Sequence, residues 1–416
     1  MKIRLRKSTT YYRPSAKNVD LLDEGCCLRT VNLIRDDGHY FPAVSAVAQQ
    51  TFAGCPEGVE GAYYSEGNGA LFVITATEVY RLDSGASEYV KIADSLSEKP
   101  FFVDMYINGF SATTMFSGNS RVVFTGMAQD TATDDHLFST GVVHCGRFFA
   151  VDKSDGFKLW WAASHPLDWE EGIYGCGYVW LPAEGGKILR LFSYDDRLVA
   201  VRERGITVVR AYGEPQNYKV DATANYLTAD GIIGDTCALC GGQIVFCTDS
   251  GIYAFDGSDI ERLMRFDCGI SAPLCAAACG ERYFLMCTEE HLGEGCVYCF
   301  DLSSGLGAAC DIKPSALFSG PDGVYAVIGT AIKKLLPGEG EGEWYSAEVR
   351  FGGSRALLKS IEAECDGEVS VTVSALGVSR TFSGSGVHRV GMSGSSFSFC
   401  VQAGGTLRTL TARAEV

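Results

Sequence analysis

A turn of Gly, Asn or Asp leads into an apolar strand, and a second strand ending in aromatic or aliphatic residues follows shortly after. This unit recurs along the chain at about 40–50 residues, the period of a four-stranded propeller blade. Gly67-Asn68-Gly69 precedes Leu71-Phe72-Val73 and Val79-Tyr80. Cys145-Gly146 precedes Arg147-Phe148-Phe149 and Leu159-Trp160-Trp161. Asp195-Asp196 precedes Arg197-Leu198-Val199 and Ile206-Thr207-Val208-Val209. Gly241-Gly242 precedes Gln243–Phe246 and Ile252–Phe255, Cys279-Gly280 precedes Arg282–Phe284 and Val297–Phe300, and Asp322-Gly323 precedes Val324–Val327 and Ile332. A further copy around Phe101–Thr125 is degenerate: it has strands but not the full pattern.

One small antiparallel sheet cannot bury both of its faces, whereas a stack closed into a ring can, leaving only short protected edges. The strands are rich in Val, Ile, Phe and Tyr, which suit a half-buried pleated surface. The turns carry residues that tolerate positive φ. The pattern predicts an all-β chain: a β-propeller of six blades, or seven if the degenerate copy counts, over residues 61–337, against the plainer alternative of a large sandwich or stacked sheets. Hydrophobic content of 46% and the absence of a long helical periodicity agree with a folded, nearly all-β chain.

After the repeats, Gly338-Glu339-Gly340-Glu341-Gly342-Glu343 has nothing apolar to bury and reads as a linker over 338–343. Beyond it, short alternating segments such as Glu368–Val373 predict a small β-sandwich over 344–416. Residues 1–60 read as a basic arm and lead-in segment. Lys2, Arg4, Arg6, Lys7, Arg13 and Lys17 meet no acidic residue in the first eighteen positions. This arm is either a solvated edge strand or a contact for an acidic partner.

The net charge of −16 argues against gripping nucleic acid through its phosphates, though not against surrounding it. No run approaches the ~20 apolar residues of a membrane helix, and the basic start has no apolar stretch of a signal peptide behind it. Seventeen scattered cysteines do not form a disulfide framework and point to a reducing compartment. Cys296 and Cys299 stand three apart on a strand, facing opposite sides, so buried thiols describe them better than a zinc site does. No cofactor or metal is expected.

Catalytic signatures such as H-E-x-x-H, a phosphate loop or a G-x-S-x-G elbow are missing. Asp152–Phe157 lacks the spacing of the sialidase turn motif and reads as an ordinary hairpin. Glu203, Asp249 and Glu289-Glu290 fall near strand ends, where a glycosidase pair about 5–9 Å apart would sit. Solvated surface charge is the commoner fate of such residues, so no enzyme activity is expected.

Two stretches are more distinctive: Leu159–Trp169, with Trp160, Trp161 and Trp169 around Ser164-His165-Pro166, and Leu198–Pro215, with Arg204-Gly205-Ile206 and Gly213-Glu214-Pro215. Gly241–Phe246 and Ser250-Gly251-Ile252-Tyr253-Ala254-Phe255-Asp256-Gly257 follow. This succession resembles the β-propeller virion proteins of tailed bacteriophages, of the tail-nozzle and head-completion, DNA-stabilising kind. The resemblance is clearest over 159–260. It implies a structural virion protein assembled in the bacterial cytoplasm, forming a homo-oligomeric ring beside tail and portal proteins, with DNA passing through without specific binding. An acidic wall would let that DNA slide. Trp160, Trp161 and Trp169 are then either blade core or subunit contacts. The rival readings are a carbohydrate- or host-receptor-binding propeller and a cytoplasmic scaffold.

Overall fold

The computed structural model describes residues 11–12, 18–22, 27–36, 38–42, 52–126, 128–133, 136–163, 165–169, 175–213, 215, 218–266, 269–335, 340–351 and 355–415. Apart from one short 3-10 turn, Ala183–Gly185, every regular element among them is a strand. The chain divides into two compact units.

The first unit, Gln50–His291 with Pro314–Ile332, is propeller-like: a succession of small antiparallel sheets taken in chain order. Sheet I holds Val59–Ser65, Ala70–Thr75, Val79–Asp83 and Val90–Ala93. Sheet II holds Phe101–Ile107, Phe110–Ser117, Ser120–Thr125 and Ala128–Thr133. Sheet III holds Phe138–His144, Arg147–Asp152, Lys158–Trp161 and Gly177–Trp180. Sheet IV holds Ile188–Tyr194, Arg197–Arg202, Gly205–Arg210 and Lys219–Leu227. Sheet V holds Ile232–Cys240, Gln243–Thr248, Gly251–Phe255 and Ile260–Arg265. The hairpin Ile270–Cys279/Arg282–Glu289 is designated VI, and the three strands Ala316–Gly320, Gly323–Ile328 and Ala331–Lys334 form VII.

The middle strands are buried on both faces, which explains why they read as continuous apolar runs. Successive side chains point to opposite neighbours. Phe148 packs toward sheet II with Phe116 and Val103, while Phe149 packs toward sheet IV with Leu198 and Ala200. Val199 and Val201 of sheet IV meet Phe246 and Phe255 of sheet V. Phe72 of sheet I meets Phe124 of sheet II, and Leu71 and Val73, on the other face, meet Tyr325 and Val327 of sheet VII. Polar contacts join the rest: the Tyr283 hydroxyl of VI donates to the Thr236 carbonyl of V at 2.6 Å, and the Ser319 hydroxyl of VII donates to the Ala278 carbonyl of VI at 2.9 Å. Each sheet therefore touches its chain neighbours, and the last touches the first. Each fully buried aromatic contributes roughly 1.5–3 kcal/mol.

Sheet II corrects the view of Phe101–Thr125 as a degenerate copy, since it has four paired strands. Its fourth strand, Ala128–Thr133, is polar and mostly exposed, so it carries no apolar signal. A register shift recurs in the first strands of I, III, IV, V and VI, at Val59/Gly61, Phe138/Thr140, Ile188/Arg190, Ile233/Ala238 and Ser271/Cys275. Such bulges bend a strand and increase its twist.

The second unit takes in the described residues of Met1–Gln49, Leu292–Lys313 and Lys333–Val416. Two sheets share one core there. Gly386–Gly394, Ala356–Cys365, Leu407–Glu415, His39–Pro42 and Leu33–Asp36 follow one another in one sheet. Leu306–Cys310, Cys27–Val31, Gly342–Ser346, Ser398–Ala403, Val369–Ala375 and Val378–Ser383 do so in the other. Leu21, Leu33, Tyr40, Trp344, Ile361, Val371, Val401 and Leu410 are among the buried residues between them.

The boundaries expected from sequence, at 60, 337 and 344, are not where this chain divides. Cys27–Val31 pairs with Gly342–Ser346, and Leu21, Leu33 and Tyr40 fill the C-terminal core, so much of the lead-in segment is structural. The expected linker is also shorter, because Gly342 and Glu343 already belong to a strand paired on both sides. Gly342 is required by packing: a Cβ there would lie 2.5 Å from Leu33 Cγ.

Candidate functional site

The three tryptophans singled out from sequence lie in sheet III and the loop after its third strand, and two of them are core. Trp160 and Trp169 are 3% and 6% exposed and pack with Phe138, Phe148 and Phe116. Trp160 Nε1 donates to Asp152 Oδ2 at 3.2 Å. Trp161 is half-buried on the other face, its Nε1 donating to the Gly175 carbonyl at 2.6 Å and its ring edge-on to Tyr218 at 5.2 Å. Of the two alternatives read from sequence, blade core or subunit contact, the burial of Trp160 and Trp169 matches blade core: the residues they pack against are within the chain. Lys2, Arg4, Arg6 and Lys7 lie outside the described residues.

The exposed tryptophan is one that sequence reasoning passed over. Trp180 ends the outermost strand of sheet III at 55% exposure. The register pairs Lys158 with Trp180 and Trp160 with Tyr178, which puts all four on one face. Trp160 meets Tyr178 edge-on at 4.7 Å, and Tyr178 meets Trp180 edge-on at 4.8 Å. The Lys158 ammonium stands 3.9 Å from the Trp160 ring centre and 3.7 Å from that of Tyr178. Trp180 Nε1 donates to Asp155 Oδ2 at 2.9 Å. The indole is thus held at its edge and its nitrogen while its ring stays accessible. The polar fourth strand of sheet II brings no large apolar side chain to cover it. The only hint in the sequence was the alternation Tyr178-x-Trp180 opposite Lys158-x-Trp160.

The carboxylates named from sequence mark equivalent turns. Glu203 and Asp249 lie between the second and third strands of sheets IV and V, and Glu289 ends the second strand of VI. Glu203 Oε2 accepts the Lys187 main-chain N–H at 3.1 Å. Glu289 Oε2 accepts the His291 N–H at 2.9 Å, and Glu290 Oε1 lies 2.9 Å from His291 Nε2. Each of these three contacts holds local chain geometry. Asp152 does the same in the turn read as an ordinary hairpin, accepting from Ser154 N, Ser154 Oγ, Asp155 N and Trp160 Nε1. Burial pushes its carboxyl up, but these donors outweigh it and hold the pKa below its ordinary value.

The Gly-Ile steps that carry the phage resemblance have a steric cause. A Cβ on Gly205 would lie 2.1 Å from the Tyr226 carbonyl oxygen, and one on Gly251 would lie 2.1 Å from that of Met264. In both sheets the fourth strand closes tightly over the start of the third, and only glycine fits. Cys296 and Cys299 are both buried. Burial likewise drives the Cys237 and Cys247 thiols up to about 12. Among the described residues, no three His, Cys, Asp or Glu side chains are grouped to hold a metal ion, and no helix is long and apolar enough to cross a membrane.

The chain matches no protein-family profile and no curated protein. Among solved structures it is similar to PorZ, a bacterial surface component of the type-IX secretion system of Porphyromonas gingivalis, at 12% identity and a TM-score of 0.43 over 81% of this chain and 46% of that one. It is also similar to the extracellular domain of a one-component system of B. thetaiotaomicron, at 10% identity and a TM-score of 0.47, covering 80% and 48% of the two chains. A chain of a mitotic checkpoint complex gives 11% identity and a TM-score of 0.45, covering 73% and 99%. The chain spans about half the length of the two bacterial proteins. None of the three is a phage particle protein.

Proposed function

We propose that sheets I to VII are the blades of a seven-bladed β-propeller, that the second unit is a β-sandwich, and that the chain is a structural component of a tailed-phage particle. In this reading it forms part of the tail nozzle or the head–tail completion region as a homo-oligomeric ring, beside portal and tail proteins, with DNA passing through the ring. The observation that carries the reading is the order of the hairpins over 159–260. The resembling stretches form corresponding strands of three successive sheets, III, IV and V, with the Gly205 and Gly251 steps in matching places. The net charge of −16 suits a wall along which DNA slides without being held. Ring assembly requires two different surfaces of one subunit to meet and close.

Native mass spectrometry of the purified full chain, with peptide mapping of phage particles induced from a host carrying the gene, tests this directly. The expected results are a closed oligomer of one size and peptides of this chain in the particles. A chain that is monomeric at every concentration and missing from particles would overturn the proposal.

The fixed, exposed indole of Trp180 favours one second reading, a carbohydrate- or host-receptor-binding propeller. An aromatic ring held rigid beside a carboxylate and an ammonium can stack on a sugar ring. A glycan array probed with the wild type and with Trp180→Ala separates the two: a signal lost in the variant supports it, and an array without signal removes it.

A further inference from the structure

Two thiols are exposed among the described cysteines, Cys145 and Cys279. Both sit at the tip of the first hairpin of a sheet, in III and in VI. Their surroundings differ. Cys145 Sγ lies 3.5 Å from Nε2 of His144, whose side chain is almost fully buried. Nδ1 of the same ring lies 2.9 Å from Ser193 Oγ, at the end of the first strand of sheet IV. A ring protonated at Nδ1 satisfies both contacts: Nδ1–H donates to Ser193, and the free lone pair of Nε2 faces the thiol. Burial lowers the His144 pKa, opposed by the main-chain carbonyl and the carboxylate of Asp196, and so favours the neutral form of the ring. Cys279 makes no contact with an imidazole among the described residues.

The backbone supplies a second observation. Cys145 has φ of +48° and Gly146 +75°, which places both in the left-handed region of a tight hairpin turn. The same position in sheet II is Asn108-Gly109, at +50° and +87°, and in sheet V Gly241-Gly242, at +57° and +73°. Those are the pairs such a turn favours, and a thiol at its first position runs against the backbone preference. Local strain of this kind clusters at functional positions.

We propose that Cys145, with His144 as its proton acceptor and Ser193 as the group that orients the ring, is a thiol–disulfide exchange site for low-molecular-weight disulfides. His144 Nε2 takes the thiol proton as Sγ attacks one sulfur of the small disulfide. The new S–S bond forms as the old one breaks, and the departing thiolate recovers the proton from the imidazolium. Cys145 is oxidised to a mixed disulfide and one equivalent of small thiol is released. The inference is independent of the phage assignment.

The test is incubation of the folded full chain with oxidised glutathione at neutral pH, following adducts at each cysteine by peptide mass spectrometry. Cys279 serves as an internal reference, exposed at the corresponding hairpin tip of VI. Cys145 is expected to react about a hundredfold faster or more, the low end of what a positioned base supplies. Ser193→Ala should lower the ratio of the Cys145 rate to the Cys279 rate, and Ser193→Thr, which keeps a hydroxyl, should restore it. His144→Gln should bring the ratio near one. If that variant fails to fold, which reaction of the buried Cys247 would reveal, the wild-type ratio and the Ser193 pair decide. Equal rates at the two thiols in the wild type, or a ratio unmoved by Ser193→Ala, would overturn the proposal.

Discussion

Arg202 shows how a charge survives inside a sheet stack. It is 1% exposed, and burial pulls its pKa down. Its Nε donates to the Gly186 carbonyl at 2.9 Å and its Nη1 to Thr207 Oγ1 at 3.2 Å, while Nη2 reaches the Pro182 carbonyl. A buried cation is tolerated when its donors find acceptors and is costly to remove once those acceptors depend on it. Arg202→Met should therefore lose about 3 kcal/mol, read as a fall in the urea midpoint. Gly185 packs flat on the guanidinium, where a Cβ would come within 2.7 Å of Nη1. Asp256 works at the surface in the turn before the fourth strand of sheet V. Its Oδ1 accepts from Ser258 Oγ, Ser258 N and Asp259 N, which hold its carboxyl below the ordinary value. With the folded pKa below the unfolded one, this stability is present above the unfolded value of ~3.9 and is lost as pH falls through the folded one. Urea midpoints from pH ~5 down to ~2.5 should fall more steeply for the wild type than for Asp256→Asn, which has no charge to lose.

At the scale of single elements, the third and fourth strands of sheets IV and V are set by how closely their backbones approach. Gly251→Ala would drive a methyl into the Met264 carbonyl. The strand can respond only by moving off its partner, at a cost of about 1–3 kcal/mol. A drop of that size in thermal and urea unfolding is expected, whereas Gly242→Ala, with no atom within 4 Å of its Cβ position, should pay only the strain of its φ of +73°. Comparing the two variants separates steric closure from turn strain. In sheet III the Lys158–Trp180 register puts the indole at the end of the outermost strand, where it is 55% exposed.

For the whole molecule, the main consequence lies in the unit built from three separated stretches. Leu21, Leu22, Leu33 and Tyr40 are nearly without exposure in a core whose other buried residues come from 344–414. Removing residues 1–49 should therefore not trim an appendage but open that core. The truncated chain is expected to show rapid limited proteolysis within 344–416 and loss of a cooperative transition there. Unchanged protection of that region after the deletion would contradict the shared core.

Much of the fold was legible because it is written in short windows. The turn–strand–strand unit marked which segments are strands, Leu198-Val199 among them, and the structure shows that strand buried on both faces. Sheet II was obscured because its outer strand, Ala128–Thr133, has no apolar residue larger than alanine. The site was less legible. Trp160 and Trp169 stood out by type, yet type does not say which face of a sheet another sheet will cover. Sequence by itself determined the β character, the repeat and the turn chemistry, since each depends on residues adjacent in the chain. Tertiary structure alone decided that Cys27–Tyr40 completes the C-terminal core, that Trp180 stays exposed, and that Ser193 meets the ring beside Cys145. Those outcomes depend on which distant strands come to lie against each other, and hydrophobic periodicity along one strand does not specify its neighbour.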